Sequence, residues 1–253
     1  MHKVLITKGK KEIVDEKKIT LDKPRYYYVD SKQDFSCREG FIKKHDLKKS
    51  KLKTNLGKEF FCFDSTFYDD YRKIKRLAQI IVTKDIGHIV TDAGLHKNSI
   101  VVEGGSGSGA LALYLAKLVK KVYSYDINPE HQKVAKENAL FLKAKNIVFK
   151  LKDLTKISEK NTDAVILDVP NPWTAIDSAK KSLKTGGFIV SYSPAITQVI
   201  SFVNEIEKHQ GLMQIKTIEI IERRWKIEGR AVRPVSESIG HTGFLTFVRK
   251  VCA

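Results

Sequence analysis

Cysteine is scarce in this 253-residue chain: Cys37, Cys62 and Cys252 are all there are, and none forms a C-x-x-C pair. That excludes a disulfide framework and leaves no zinc site encoded. No apolar run approaches the roughly 20 residues that a membrane helix needs. The opening Met1-His2-Lys3-Val4 lacks a signal-peptide pattern. The expectation is a cytoplasmic protein that needs neither membrane nor metal. Internal repeats and low-complexity tracts are missing too. Acidic residues are in short supply, 29 Asp and Glu against 46 Lys and Arg, for a net charge of +17. Residues 41–58 carry Lys43, Lys44, Lys48, Lys49, Lys51, Lys53 and Lys58 against Asp46 alone. A basic surface of this size concentrates a polyanion, nucleic acid being the usual one, although it also serves a solvated, solubilising face.

What is present is globular: 42% hydrophobic and 30% charged residues, long enough for one large α/β domain and a smaller one. Residues 1–62 read as a small basic β-rich RNA-binding module, with β-branched or aromatic runs at Val4–Thr7, Ile19–Leu21 and Tyr26–Val29 between Lys-rich turns. Tyr26-Tyr27-Tyr28 beside Arg25 can stack on exposed bases or pack in the small core. Residues 66–253 read as the second, larger domain. Apolar spacing predicts helices over 69–82 and 84–93, followed by alternation. Strands are predicted at 99–103, 121–126, 146–151, 164–168 and 187–192, and helices at 109–119, 129–144, 172–184 and 195–209. This is the pattern of parallel β-α-β units. The β-rich segments 213–225 and 243–251 predict an antiparallel pair closing the sheet edge.

The chemistry concentrates where strands end. Ile100-Val101-Val102-Glu103 runs into Gly104-Gly105-Ser106-Gly107-Ser108-Gly109, then a helical pattern from Ala110. Glycine reaches φ > 0 and has no Cβ, so a ligand can approach backbone directly. Asp126 ends the next strand 23 residues after Glu103 and can accept from the ribose hydroxyls of an adenosine. This suits NAD and S-adenosylmethionine (SAM) alike. Asp153 after the third strand can accept from an adenine amino group, or simply cap the turn that follows. The chain also lacks the second nucleotide-binding half of a dehydrogenase, which favours SAM. In Leu167-Asp168-Val169-Pro170-Asn171-Pro172-Trp173, two prolines fix the backbone and present Asp168 at the sheet edge where ligands bind.

These pieces resemble the tRNA (adenine-N1)-methyltransferases acting on the T-loop, in particular the archaeal and bacterial homotetrameric type. The ordered set is Lys75-Arg76-x-x-Gln79-Ile80-Ile81, Lys84-Asp85, the Glu103–Leu111 loop, Tyr125-Asp126-Ile127, the Asp168–Trp173 segment, Tyr192-Ser193-Pro194, Arg233-Pro234 and Gly240-His241-Thr242-Gly243-Phe244-Leu245. Three positions depart from the family pattern: Thr83 stands where Pro is usual, Val82 where some members carry a base-holding aromatic, and Asp126 where Glu is commoner.

The resemblance implies a Rossmann-like class I SAM-dependent methyltransferase sheet that methylates N1 of adenine 58 in tRNA, with 57 allowed, and releases S-adenosyl-L-homocysteine. It implies a cofactor set of Gln79, Glu103, Gly105, Ser106, Gly107, Ser108, Gly109, Asp126, Ile127, Asp153 and Asp168, with Asp168 catalytic. Tyr192 and His241 are expected at the target base, Tyr192 stacking or merely packing and His241 holding the turn. Lys43, Lys44, Lys48, Lys49, Arg230 and Arg233 are expected on tRNA. Two alternatives stay open on the residues: a same-fold enzyme acting on a small molecule of the corrin pathway, and a non-catalytic tRNA-binding paralogue. The second predicts a degenerate glycine loop and a lost Asp168, and neither is seen.

Overall fold

The computed structural model describes residues 2–14, 17–77, 79–228, 231–237 and 239–252. By contact the chain divides into two units, Met1–Lys73 with Glu228–Ala231, and Ile74–Ile227 with Val232–Ala253.

The first unit contains β1 (His2–Thr7), β2 (Lys10–Val14), β3 (Lys17–Asp22), β4 (Arg25–Asp30), β5 (Phe35–Cys37), β6 (Gly40–Ile42), β7 (Lys51–Lys53), β8 (Glu59–Asp64) and α1 (Phe67–Tyr71). Four of these strands make a sheet in the order β4-β1-β8-β7, and β2-β3 and β5-β6 are separate hairpins. Leu5, Val29, Ile42, Leu47, Leu52 and Phe60 fill its core. Thr66 caps α1 by a capping box with Asp69.

The remaining elements, in the second unit apart from Glu228 and Ala231 at the ends of β15 and β16, are α2 (Thr83–Asp92), β9 (Ile100–Gly104), α3 (Ala110–Leu115), β10 (Lys121–Asp126), α4 (Pro129–Phe141), β11 (Ile147–Leu151), β12 (Thr162–Leu167), α5 (Ile176–Ser182), β13 (Leu183–Ser193), α6 (Ile196–Ile206), β14 (Leu212–Glu219), β15 (Trp225–Glu228), β16 (Ala231–Pro234) and β17 (Phe244–Lys250). Seven strands form one sheet in the order β11-β10-β9-β12-β13-β17-β14. The first five run parallel; β17 is antiparallel to both β13 and β14. The predicted edge pair is therefore present, although the 213–225 run ends at Glu219 and Trp225–Glu228 joins β16 in a separate ribbon. Chain order reverses between β9 and β12, the topological switch point at which open α/β sheets bind ligands.

Both faces of the sheet are buried. Val101, Ile166, Val190 and Phe247 belong to one apolar cluster and Val102, Val165, Ile189 and Val248 to the other. Adjacent residues thus point to opposite cores, which is why these strands read as unbroken apolar runs. Asn128 caps α4 by accepting from the Glu130 amide, with Pro129 in the first turn.

The expected helix over 69–82 is absent apart from Phe67–Tyr71. The Lys75 amide donates to Asn138 Oδ1 at 2.9 Å and the Leu77 amide to Ser108 Oγ at 2.8 Å. Those donors hold the segment against α4 and the glycine loop instead of closing helical turns, so tertiary bonding overrides the local period; Ala78 lies outside the described residues. The expected helix over 172–184 is a 3₁₀ turn, Pro172–Ala175, followed by α5, and Leu183 already begins β13.

Candidate active site

The strand ends meet in register. Gly104 of β9 pairs with Tyr125 of β10 and Leu167 of β12, and Leu167 with Ser191 of β13. The glycine loop and Asp126, Asp168 and Tyr192 therefore leave the sheet at one edge.

The loop folds over the end of β10. The amides of Gly105 and Ser106 donate to the Tyr125 carbonyl at 2.9 and 3.1 Å, and the Gly109 amide to the Ser106 carbonyl at 2.6 Å. Gly105, with φ of 88°, has backbone so close that a Cβ would lie 2.0 Å from the Asp168 carbonyl oxygen. No other residue type fits there. The backbone of Asp168 is fixed from the same side, its amide donating to the Gly104 carbonyl at 2.9 Å.

Asp126 accepts the Gly107 amide at 2.9 Å on Oδ2 and the Asn128 amide at 2.8 Å on Oδ1. His131 Nδ1 stands 3.3 Å from Oδ2. Oδ1, with the Asn128 amide as its one partner here, keeps a second lone pair for a further donor. Glu103 is 1% exposed. It accepts from Ser124 Oγ at 2.6 Å, and Ser124 Oγ lies 2.6 Å from Ser106 Oγ. Glu103 thus reaches the loop through two serine hydroxyls. Burial, reinforced by the nearby Asp168 and Asp126, raises its carboxyl to about 8 against one opposing serine bond. Burial likewise raises Asp168 to about 7.

The other expected cofactor residues divide. Ser108 is buried and held by Leu77 and, through its carbonyl, by Asn138 Nδ2 at 2.8 Å. Gly109 caps α3 at φ 78° against Ala135. Ile127 is exposed past the end of β10, and Gln79 is exposed on the extended segment. Asp153 accepts from the Thr155 amide at 2.8 Å and its hydroxyl at 2.6 Å. The capping role is therefore filled, and those bonds hold its carboxyl below the usual range.

On the far side of the edge the Tyr192 ring is 5% exposed. Its hydroxyl donates to the Thr242 carbonyl at 2.5 Å, so of its two expected roles packing is the one the geometry displays. His241 bridges Glu219 Oε1 at 2.5 Å and the Pro194 carbonyl at 2.8 Å. The carboxylate and the carbonyl both favour the charged ring and raise its pKa. These two bonds tie the 240–243 turn to the ends of β13 and β14.

In the first unit, Lys49 pairs with Asp46 at 2.6 Å, while Lys43, Lys44 and Lys48 are exposed around the 3₁₀ turn Lys44–Lys48. The tyrosine run is engaged rather than open: Tyr26 donates to Asp69, Tyr28 to Asp70 at 2.7 Å and Tyr27 to Glu39 at 2.7 Å. Arg233 is exposed and donates to Ser236 at 2.9 Å. Arg230 lies outside the described residues. Among the described residues no cluster of His, Cys, Asp and Glu fits a metal, and no helix is long and apolar enough to cross a membrane.

Ser124, His131, Asn138, Lys84, Asp85 and Thr242 also hold this edge together, without being among the residues expected from the sequence. Ser124 was signalled by a lone hydroxyl inside a buried strand, and Lys84-Asp85 and Thr242 by motifs that carried no role.

A seven-stranded sheet with a glycine cradle at its switch point and acidic residues at successive strand ends defines a class I SAM-dependent methyltransferase fold. The solved SAM-dependent O-methyltransferase from Thermotoga maritima superposes with a TM-score of 0.81 at 26% identity, over 99% of this chain and 93% of that one. The tRNA (m1A58) methyltransferase TrmI from Aquifex aeolicus superposes with a TM-score of 0.78 at 26% identity, over 99% and 97%. A family model described as tRNA methyltransferase complex GCD14 subunit matches residues 72–232. The tRNA (adenine(57)-N(1)/adenine(58)-N(1))-methyltransferase TrmI of Methanocaldococcus jannaschii is 36% identical over 89% of this chain and 91% of its own length. The chain belongs to this GCD14/TrmI tRNA methyltransferase family, whose fold implies SAM as methyl donor.

Proposed function

We propose that this protein methylates N1 of adenine 58 in the T-loop of tRNA, with adenine 57 as a second target. The observation that carries the reading is Asp168: a carboxyl raised to about 7 by burial, rigidly set at the switch point against the cradle of Gly105. The cradle suits SAM because its glycines leave backbone bare and Asp126 keeps acceptor capacity beside it. Gly105–Gly109, Ser106, Ser108, Glu103, Asp126, His131 and Asp168 would hold it, with Gln79, Ile127 and Asp153 at the margins.

SAM supplies a sulfonium-bound methyl that is already electrophilic. Neutral adenine has a free lone pair at N1, so the protein's task is alignment rather than proton removal. Positive charge grows on the ring as N1 is alkylated. Ionised Asp168, accepting from the exocyclic amino group, stabilises that charge where it develops. Tyr192 and His241 hold the neighbouring turn. A stacked adenine must turn out to reach this edge, and Lys43, Lys44, Lys48, Arg230 and Arg233 would hold the phosphates, with Lys49 weakened by Asp46. Exposed Ile221, Trp225, Ile227, Val232 and Ile239 support a homo-oligomer, a tetramer by family. The site of action is the cytoplasm.

Incubation with unmodified tRNA and labelled SAM, followed by nucleoside mass spectrometry, should give 1-methyladenosine; its absence with several tRNAs overturns the reading. Asp168→Ala should lower kcat about 10²–10³-fold while electrophoretic tRNA binding stays within about twofold. Because only ionised Asp168 can serve, kcat/KM should rise with pH through about 7 in the wild type and flatten in Asp168→Asn.

A further inference from the structure

We propose that Lys84, Asp85 and Thr242 form a positioning triad for methyl transfer, holding Tyr192 and the 240–243 turn in place beside Asp168. The inference rests on the function proposed above. Lys84 Nζ donates to Asp85 Oδ1, Thr242 Oγ1 and the Ile220 carbonyl, each at 2.7 Å, which uses all three ammonium protons. Thr242 Oγ1 donates in turn to Asp85 Oδ2 at 2.8 Å, so the ring closes with every donor directed. Asp85 is 0% exposed. A salt bridge buried so deeply adds little net stability over apolar residues of equal volume, so stability alone does not account for it.

What the triad grips gives it a use. The Thr242 carbonyl accepts from the Tyr192 hydroxyl at 2.5 Å, and a Cβ on Gly243 would lie 2.5 Å from Tyr192 Cζ. Tyr192 follows Ser191, the partner of Leu167, and so stands level with Asp168 on the neighbouring strand. Burial, with Asp85 and Asp168 nearby, raises the Tyr192 hydroxyl to about 12, which keeps it a neutral donor between two carboxylates. The start of α2, the residue after β14, the turn before β17 and the end of β13 are thereby locked together at the reacting edge. Freeing this wall by about 1 Å is enough to cost on the order of 10²-fold in rate.

The test compares Thr242→Val, which keeps shape and loses the hydroxyl, with Thr242→Ser, which keeps the hydroxyl, both assayed well below their unfolding midpoints. Thr242→Val should lower kcat about 30-fold, with KM for SAM and tRNA affinity within about twofold. Amide exchange across 240–245 should quicken about tenfold while the glycine loop stays unchanged. Thr242→Ser should recover kcat to within about threefold of wild type. Unchanged kcat or unchanged exchange in Thr242→Val overturns the triad, as does an equal loss in both variants or a loss confined to KM for SAM. Wild type run in parallel separates the two readings. An active wild type matched by Thr242→Val refutes the triad alone, whereas a wild type that makes no 1-methyladenosine refutes the function and the triad's role with it.

Discussion

Two buried carboxylates at opposite sides of one sheet edge meet the same problem differently. Glu103, beneath the glycine loop, has a serine hydroxyl as its hydrogen-bond partner and two acidic neighbours, and its carboxyl rises to about 8. Asp85, beneath the 240–243 turn, faces an ammonium and a threonine hydroxyl that satisfy both its oxygens. Desolvation penalises the charged form wherever no cation answers it. The cradle side thus holds a carboxyl pushed upward by burial, linked by Ser124 and Ser106 to the glycine loop. The far side holds an ion pair that fixes a turn.

That contrast can be broken in graded steps. Lys84→Met strips the cation from a buried carboxylate and should lower stability by about 3–5 kcal/mol, read from denaturant midpoints; a loss under about 1 kcal/mol would show that the ion pair is not what holds this side of the edge. Gly105→Ala puts a Cβ into the Asp168 carbonyl at a positive φ. It should cost about 1–3 kcal/mol and weaken SAM binding by calorimetry at least tenfold, with far less effect on tRNA affinity. Asp153→Ala removes a cap and should cost about 1 kcal/mol, leaving SAM affinity nearly intact if capping is its whole role; a large affinity loss would return it to the adenine.

Glu103→Gln carries the smallest effect at low pH and the most instructive trend. The folded pKa is raised from 4.5 to about 8, so the native state binds more protons than the unfolded one between those values. Wild-type stability from this group is full below about 4.5 and is lost as pH rises through about 8. The variant should match wild type near pH 5 and gain on it steadily toward pH 8. Urea midpoints at several pH values decide this, and a pH-independent difference would place a compensating charge near Glu103.

Much of this protein was legible in order along the chain. The apolar runs at Val101–Val102, Ala164–Leu167 and Ile189–Val190 reported strands buried on both faces, because parallel strands have no wet side. Alternate glycines, Asp126 and the Asp168 segment marked one edge of the sheet, and the strand register does bring them together there, because close backbone approach and a strand-end carboxylate each demand a residue type at one position. The strap at 72–82 was not legible. Its helical period is real, yet Asn138 and Ser108, 63 and 31 residues away, take the amide donors. Nor did the tyrosine run declare that its hydroxyls serve Asp69, Asp70 and Glu39.

By itself the sequence determined the alternating strands and helices, the closing strand pair and the acidic residues at the strand ends, since each follows from local periodicity or the stereochemistry of a single residue; the strand order and its switch point came from the tertiary structure. Only the tertiary structure decided which carboxylate is answered by a cation and which by a hydroxyl. Lys84 and Thr242 lie 158 residues apart, and the charge state of a buried group depends on what folding brings within 3 Å of it.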